Sequence, residues 1–216
     1  MRSLDAAEML GEVLFVRSQN AATPLTNVVF MGIGEPFDNY DNVLKAIRTL
    51  NDPDGFAIGA RRITISTCGI IPGIERLKGE GIQVELSISL HAATDKVRSR
   101  IVPANKRYPI ADLVKACREY TRDTHRVITF EYVLLKGVNS SKADAERLAK
   151  LVAGMQCKVN AIAYNQVRAL GYEKPDASEI AVFIDTLKAR GVNAMLRRSR
   201  GEDVDAGCGQ LRMARS

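Results

Sequence analysis

Two hydrophobic rhythms alternate along the whole chain. Period-2 or continuous β-branched runs predict strands at Val28 to Ile33, Arg62 to Thr67, Val84 to His91, Val127 to Leu135, Lys158 to Tyr164 and Val192 to Arg197. Between them, apolar residues recur at helical spacing. Met9, Leu10, Val13 and Leu14 form one stripe, with Asp5 and Glu8 placed to cap its start. Val43, Leu44, Ile47 and Leu50 form a second, and Ile74 and Leu77 a short third after Pro72. A fourth starts near Pro109 and carries Leu113, Cys117 and Tyr120. Ser141 opens a fifth with Leu148, Leu151, Val152 and Met155, and Asp176 with Glu179 caps a sixth that Gly191 ends.

Helix therefore follows strand to the end of the chain, with no repeat, linker or low-complexity tract. Such alternation implies βαβ units around a parallel sheet, either a barrel or an open doubly wound sheet. The pattern starts on a helix, so the first visible unit has no leading strand. At 216 residues the chain suits one core rather than two.

Composition narrows the class. Hydrophobic residues make up 46% and charged residues 26%, an ordinary globular balance that excludes wholesale disorder. No apolar run approaches the ~20 residues that span a bilayer, and the N-terminus lacks a signal-peptide layout. The expectation is a cytoplasmic protein with no membrane partner. A net charge of +6 permits nucleic acid as a partner without establishing it. The four cysteines, Cys68, Cys117, Cys157 and Cys208, lie at least 40 residues apart, which fits neither a disulfide scaffold nor a zinc ribbon. No metal ligands are expected among them.

In parallel α/β folds, chemistry gathers at the carboxyl ends of strands, so those ends supply the candidates. The first is Gly32-Ile33-Gly34-Glu35-Pro36, either a tight turn or a place where backbone approaches a ligand and Glu35 accepts from an ammonium. The second, Ser66-Thr67-Cys68-Gly69, is either a polar contact or a plain strand-to-helix turn. The third, Ser89-Leu90-His91, ends on a histidine with structural and functional readings both open. His125 falls in a loop expected to be exposed. Asn165 offers donor and acceptor at the fifth strand end. Last, Arg197 to Leu211 reads either as a solvated charge run or as a phosphate-contacting edge before an exposed thiol, Cys208.

In order and spacing, GIGEP (32–36), RRITISTCGIIP (61–72), SISLHAATDKVRSRIVPANKRYPI (87–110), ITFEYVLLKGVN (128–139) and RRSRGEDVDAGCGQL (197–211) resemble the RlmN/Cfr radical-SAM RNA methyltransferases. The resemblance implies a partial (β/α) barrel that binds S-adenosylmethionine (SAM) beside a [4Fe–4S] cluster. It implies methylation of carbon 2 of an adenosine in 23S rRNA, possibly also in tRNA, with a reducing partner such as flavodoxin. A Cfr-like preference for carbon 8 is the alternative. By motif, Gly34 and Glu35 would hold the methionine amino group, Ser66, Ser89, Leu90 and His91 would line the SAM pocket, and Asn165 would contact the adenosyl part. Cys208 would be the methyl-carrying catalytic thiol.

One element of that family is not found. The Cys-x3-Cys-x2-Cys loop that holds its cluster matches nothing in these 216 residues, and widely spaced cysteines cannot replace a short ligating loop. The expectation is a single radical-SAM barrel over 1–216, missing its first strand, with a catalytic-cysteine tail around 197–212. It would be the C-terminal part of such an enzyme, inactive alone, or else a degenerate module that binds SAM or RNA without catalysis.

Overall fold

The computed structural model describes residues 2–19, 24–31, 33–165 and 171–197. Its strands are β1 (Val28–Phe30), β2 (Ile63–Thr67), β3 (Glu85–Ser89), β4 (Ile128–Leu134), β5 (Cys157–Ala163) and β6 (Asn193–Arg197). All six pair in parallel, in the order β1-β2-β3-β4-β5-β6. This order settles the choice left open above. A doubly wound sheet reverses direction partway, whereas a strand order identical to chain order winds one way, as in a barrel. β1 and β6 remain edges, so the barrel is partial and open.

The helices are α1 (Ala6–Gln19), α2 (Tyr40–Asn51), α3 (Ile71–Lys78), α4 (Asp95–Ile101), α5 (Ile110–Thr124), α6 (Lys142–Val152) and α7 (Ala177–Ala189). The capping residues act as their spacing predicts. Glu8 N donates to Asp5 Oδ1 at 2.8 Å and Asp5 N to Glu8 Oε2 at 2.9 Å. Ser141 with Asp144 and Asp176 with Glu179 form full capping boxes.

Two boundaries depart from the sequence reading. The first strand stops at Phe30, and Ile33 lies exposed beyond it. α4 has no counterpart in the hydrophobic pattern. It is seven residues long, rich in charge, and starts where Thr94 accepts from Val97 N. A helix this short carries too few apolar positions to show a period.

Alternation within the strands divides the sheet into two unlike faces. Ile63, Ile65, Leu86, Ile88, Ile128, Phe130, Tyr132, Leu134, Val159 and Ala161 pack under the helices in one core. The alternate residues, Thr64, Ser66, Glu85, Ser87, Ser89, Thr129, Glu131, Lys158 and Asn160, give the concave face a polar lining. Register aligns them into rows, with Ser66 beside Ser87 and then Thr129, and Ser89 beside Glu131 and then Asn160. Ser66, Ser87, Thr129 and Glu131 are nevertheless buried.

Candidate active site at the carboxyl ends of the strands

The loop after β1 is shaped by Gly34, whose φ of +115° suits glycine alone. Glu35 follows and braces two loops. Its Oε1 accepts from Phe37 N at 3.1 Å, and its Oε2 accepts from Cys68 N, in the loop after β2, at 2.8 Å. Gly73 of α3 lets this loop approach closely, since a Cβ there would lie 2.3 Å from the Phe37 ring.

The loop after β3 is the most constrained. His91 sits at φ +57°, a left-handed conformation uncommon outside glycine, and its surroundings hold it there. Leu90 N and His91 N both donate to Glu131 O, at 3.1 and 3.3 Å. The Asn139 amide donates to His91 O and to Val133 O, each at 2.7 Å. Val133 N donates to His91 Nδ1 at 3.1 Å, so the proton of a neutral ring is left on Nε2. Burial, and then the nearby Arg98 charge, push the His91 pKa down to about 4. The imidazole is therefore a neutral hydrogen-bond donor at physiological pH.

Arg98, fully buried on α4, ties these loops together. Its Nε donates to Leu90 O at 3.0 Å, and its Nη2 to Cys68 O at 2.6 Å and Ser89 O at 3.2 Å. Nη1 donates to Asn105 Oδ1 at 2.9 Å. Asn105 in turn donates to Asp95 Oδ1 at 2.9 Å, which brings a carboxylate to the cation through an amide. Burial lowers the guanidinium pKa from its ordinary value.

Sequence-predicted residues thus converge on one edge. Gly34 and Glu35 follow β1, Ser66 is on the concave side of β2, Ser89 to His91 close β3, and Asn165 follows β5. Leu90 is there by position only, since its side chain is buried in the core and its N–H and C=O are both bonded. Three acceptor-bearing atoms on this side of β4 and β5 are buried without partners: Glu131 Oε2, Tyr164 Oη and Asn165 Oδ1. Orphaned buried polar atoms are costly, and a polar ligand relieves them. His125 is exposed on the far side, and Cys208 lies outside the described residues.

Sequence reasoning passed over Arg98, Glu131 and Asn139. Only Glu131 left a signal, as a carboxylate between Phe130 and Tyr132 in an otherwise apolar strand. Arg98 and Asn139 look like any surface polar residues until the loops close on them.

The described cysteines do not suit an iron–sulfur cluster. Cys68 is at the carboxyl end of β2, Cys157 at the amino end of β5, and Cys117 is buried within α5. Among the described residues no group of three or more His, Cys, Asp or Glu could hold a metal. Their thiols are also poor ligands. Burial raises Cys117 to about 12 and Cys157 to about 11. Burial, then the bond and charge of Glu35, raises Cys68 to about 12. By contrast, the polar rim with its orphaned acceptors suits a molecule such as SAM, which offers an ammonium, ribose hydroxyls and an adenine amine.

An open cleft of about 530 Å³ lies elsewhere, at the amino ends of β4 and β5, lined by Lys115, Arg118, Arg122, His125 and Gln156 among others. Arg118 donates to Leu151 O at 2.9 Å, so this cation serves the C-terminal turn of α6. No candidate site residue borders the cleft. Among the described residues no helix is long and apolar enough to cross a membrane.

Comparison with known proteins agrees with this placement. A crystal structure of a radical SAM methyltransferase from Sphaerobacter thermophilus superposes with a TM-score of 0.94 at 48% identity, covering 97% of this chain and 62% of that one. A probable dual-specificity RNA methyltransferase RlmN from Thermoanaerobacter sp. (strain X514) is 46% identical over 212 residues, 98% of this chain and 61% of the relative. One with the same description from Heliobacterium modesticaldum is 46% identical over 217 residues, 99% of this chain and 56% of the relative. The chain thus spans about three fifths of the length of the curated relatives it matches. A domain of pyruvate-formate lyase-activating enzyme from Bacteroides vulgatus, at 17% identity and a TM-score of 0.59, shares the fold. Residues 3–152 match the Radical SAM superfamily, and with its one-way parallel half-barrel the chain belongs to that superfamily.

Proposed function

We propose that this chain is the SAM-binding part of an RlmN-type RNA methyltransferase. The observation that carries the reading is the row of orphaned acceptors, Asn165 Oδ1 with Tyr164 Oη and Glu131 Oε2, beside the rigid loops of Glu35 and His91. Bound there, SAM supplies the methyl group and the adenosyl group of the reaction. The backbone and carboxylate around Gly34 and Glu35 receive its ammonium. Ser66 and Ser89 offer hydroxyls, His91 Nε2–H donates, and Asn165 Oδ1 accepts from the adenine amine. The fixed loops pre-order these contacts, so little is lost in arranging them on binding.

The substrate side is read from the relatives. The proposed target is carbon 2 of an adenosine in 23S rRNA, possibly also in tRNA, with Cys208 carrying the methyl group and a flavodoxin-like partner supplying electrons. An electrophilic amidine carbon gives a polar methyl transfer no nucleophile, which is why such chemistry needs a cofactor. No step is assigned through a cluster held by this chain's own cysteines.

Calorimetric titration with S-adenosylhomocysteine tests the reading. One-to-one binding that weakens at least tenfold in Asn165→Ala is expected. A wild-type chain that binds nothing at millimolar ligand overturns it. The lack of ligating cysteines favours one second reading, a binding module without catalysis. Transfer of labelled methyl to Cys208 in the full-length enzyme would argue against that alternative.

A further inference from the structure

On the concave face, Glu131 is 3% exposed, and its two oxygens have unlike surroundings. Oε1 accepts from Asn160 Nδ2 at 3.1 Å, while Oε2 is buried with no partner. The nearest cation is Arg197 on the edge strand β6, whose Nη1 is 3.7 Å from Oε1, beyond hydrogen-bond distance. Arg197 is itself half exposed. A buried carboxylate with one unsatisfied oxygen and no tight counter-ion is an expensive arrangement for stability alone. Burial accordingly raises its pKa, against opposing contributions from Asn160 and Arg197.

The position adds a direction. Glu131 is in register with Ser89 on one side and Asn160 on the other, so acceptor, hydroxyl and amide form one row below the loop of His91. Adjacent strands place such side chains about 5 Å apart, close to the spacing of groups that bracket a sugar ring. The backbone of the same residue already receives Leu90 N and His91 N. Glu131 therefore joins the fixed loop to the floor beneath it. No motif reading assigned it a role.

We propose that Glu131 Oε2 is a ribose-binding acceptor, taking hydrogen bonds from the sugar hydroxyls of a ribonucleoside held against the Ser89–Glu131–Asn160 row. This rests on the SAM-pocket reading above. A carboxylate is the strongest neutral-pH acceptor for a pair of adjacent hydroxyls, and acidic residues serve dinucleotide ribose in the same way in other folds. Ribose hydroxyls reach the site from two sources, the adenosyl part of SAM or the target nucleotide of an RNA.

The test compares wild type with Glu131→Gln, an isosteric change that keeps an acceptor for Asn160 and removes the charge. Calorimetry would use S-adenosylhomocysteine, and a filter assay an adenosine-bearing RNA hairpin and its DNA counterpart. If the sugar of SAM is the occupant, S-adenosylhomocysteine binding falls roughly tenfold or more, the cost of a charged hydrogen bond, and RNA binding is unchanged. If the target ribose is the occupant, S-adenosylhomocysteine is unaffected and the RNA-over-DNA preference collapses. Either result supports the ribose assignment. Unchanged values for both overturn it while leaving the SAM pocket standing. Wild type that binds no S-adenosylhomocysteine overturns the pocket reading and this subsite with it. A melting temperature equal to or above wild type, expected because a desolvated charge is removed, separates lost contact from lost fold. A marked fall would instead make Glu131 a structural residue.

Discussion

The two faces of the sheet are built by the same strands yet obey different rules. On β4, Phe130 and Tyr132 disappear under the helices, with Tyr132 stacked at 5.2 Å from Phe183 of α7. Glu131, between them, faces the hollow side with one oxygen unpaired. The convex face is a filled core, where every neighbour supplies apolar contact. The concave face keeps hydroxyls, a carboxylate and amides in a row, as a site that awaits a partner would. One face specifies the fold, and the other is free to specify chemistry.

The widest gap between the faces is expected from Phe130→Ala. Emptying a fully buried ring should cost about 3–5 kcal/mol in urea unfolding. A loss below 1 kcal/mol would mean the convex core is not close-packed around β4. Next comes Arg98→Met, which leaves the carbonyls of Cys68, Ser89 and Leu90 without their shared donor. About 2–3 kcal/mol of stability should be lost, and Arg98→Lys should recover little, because an ammonium cannot reproduce the planar fork. Full rescue by lysine would reduce the residue to a charge.

The loop between the faces carries a pH signature. With the His91 pKa lowered to about 4 from an ordinary 6.5, the unfolded chain binds this proton more readily than the folded one. Its contribution to stability is complete above pH 6.5 and is lost as pH falls from there through 4. Imidazole NMR signals should report the low value, and His91→Gln should flatten that part of the profile. A normal titration near 6.5 would show the ring to be solvated. Smaller again is Ser141→Ala, which removes one half of the α6 capping box for about 1 kcal/mol by thermal melting. At a site distant from the concave face, it should leave ligand affinity alone. Iron and sulfide reconstitution of this chain should yield no charge-transfer absorbance; a stoichiometric [4Fe–4S] spectrum would contradict the ligand geometry.

Much of the architecture was legible in the residues. Strand and helix periods, the Ser141 and Asp176 caps, and the run of GIGEP, SISLH and YN at strand ends all survive in three dimensions, because each depends on neighbours within a few positions. α4 was not legible, since seven charged-rich residues carry no period. Nor was the role of Arg98, whose acceptors come from 68, 89, 90, 105 and 108. Cys208, with the rest of 198–216, lies outside the described residues, so its assignment stays with the family resemblance.

By itself the sequence determined the alternation of α and β, the parallel sheet, the helix caps and a family resemblance strong enough to nominate Glu35, Ser66, Ser89, His91 and Asn165. Those are local or pattern properties, set by backbone periodicity and short-range hydrogen bonding. Tertiary structure alone decided that the sheet winds one way into an open half-barrel. It also decided that Glu35 braces Cys68, that His91 is locked in a neutral tautomer, and that Glu131 is buried with a free oxygen. Each of those facts joins residues about thirty or more positions apart, or depends on the loss of water around a charge. Distance in the chain hides such contacts, and desolvation exists only once the chain has closed around the group.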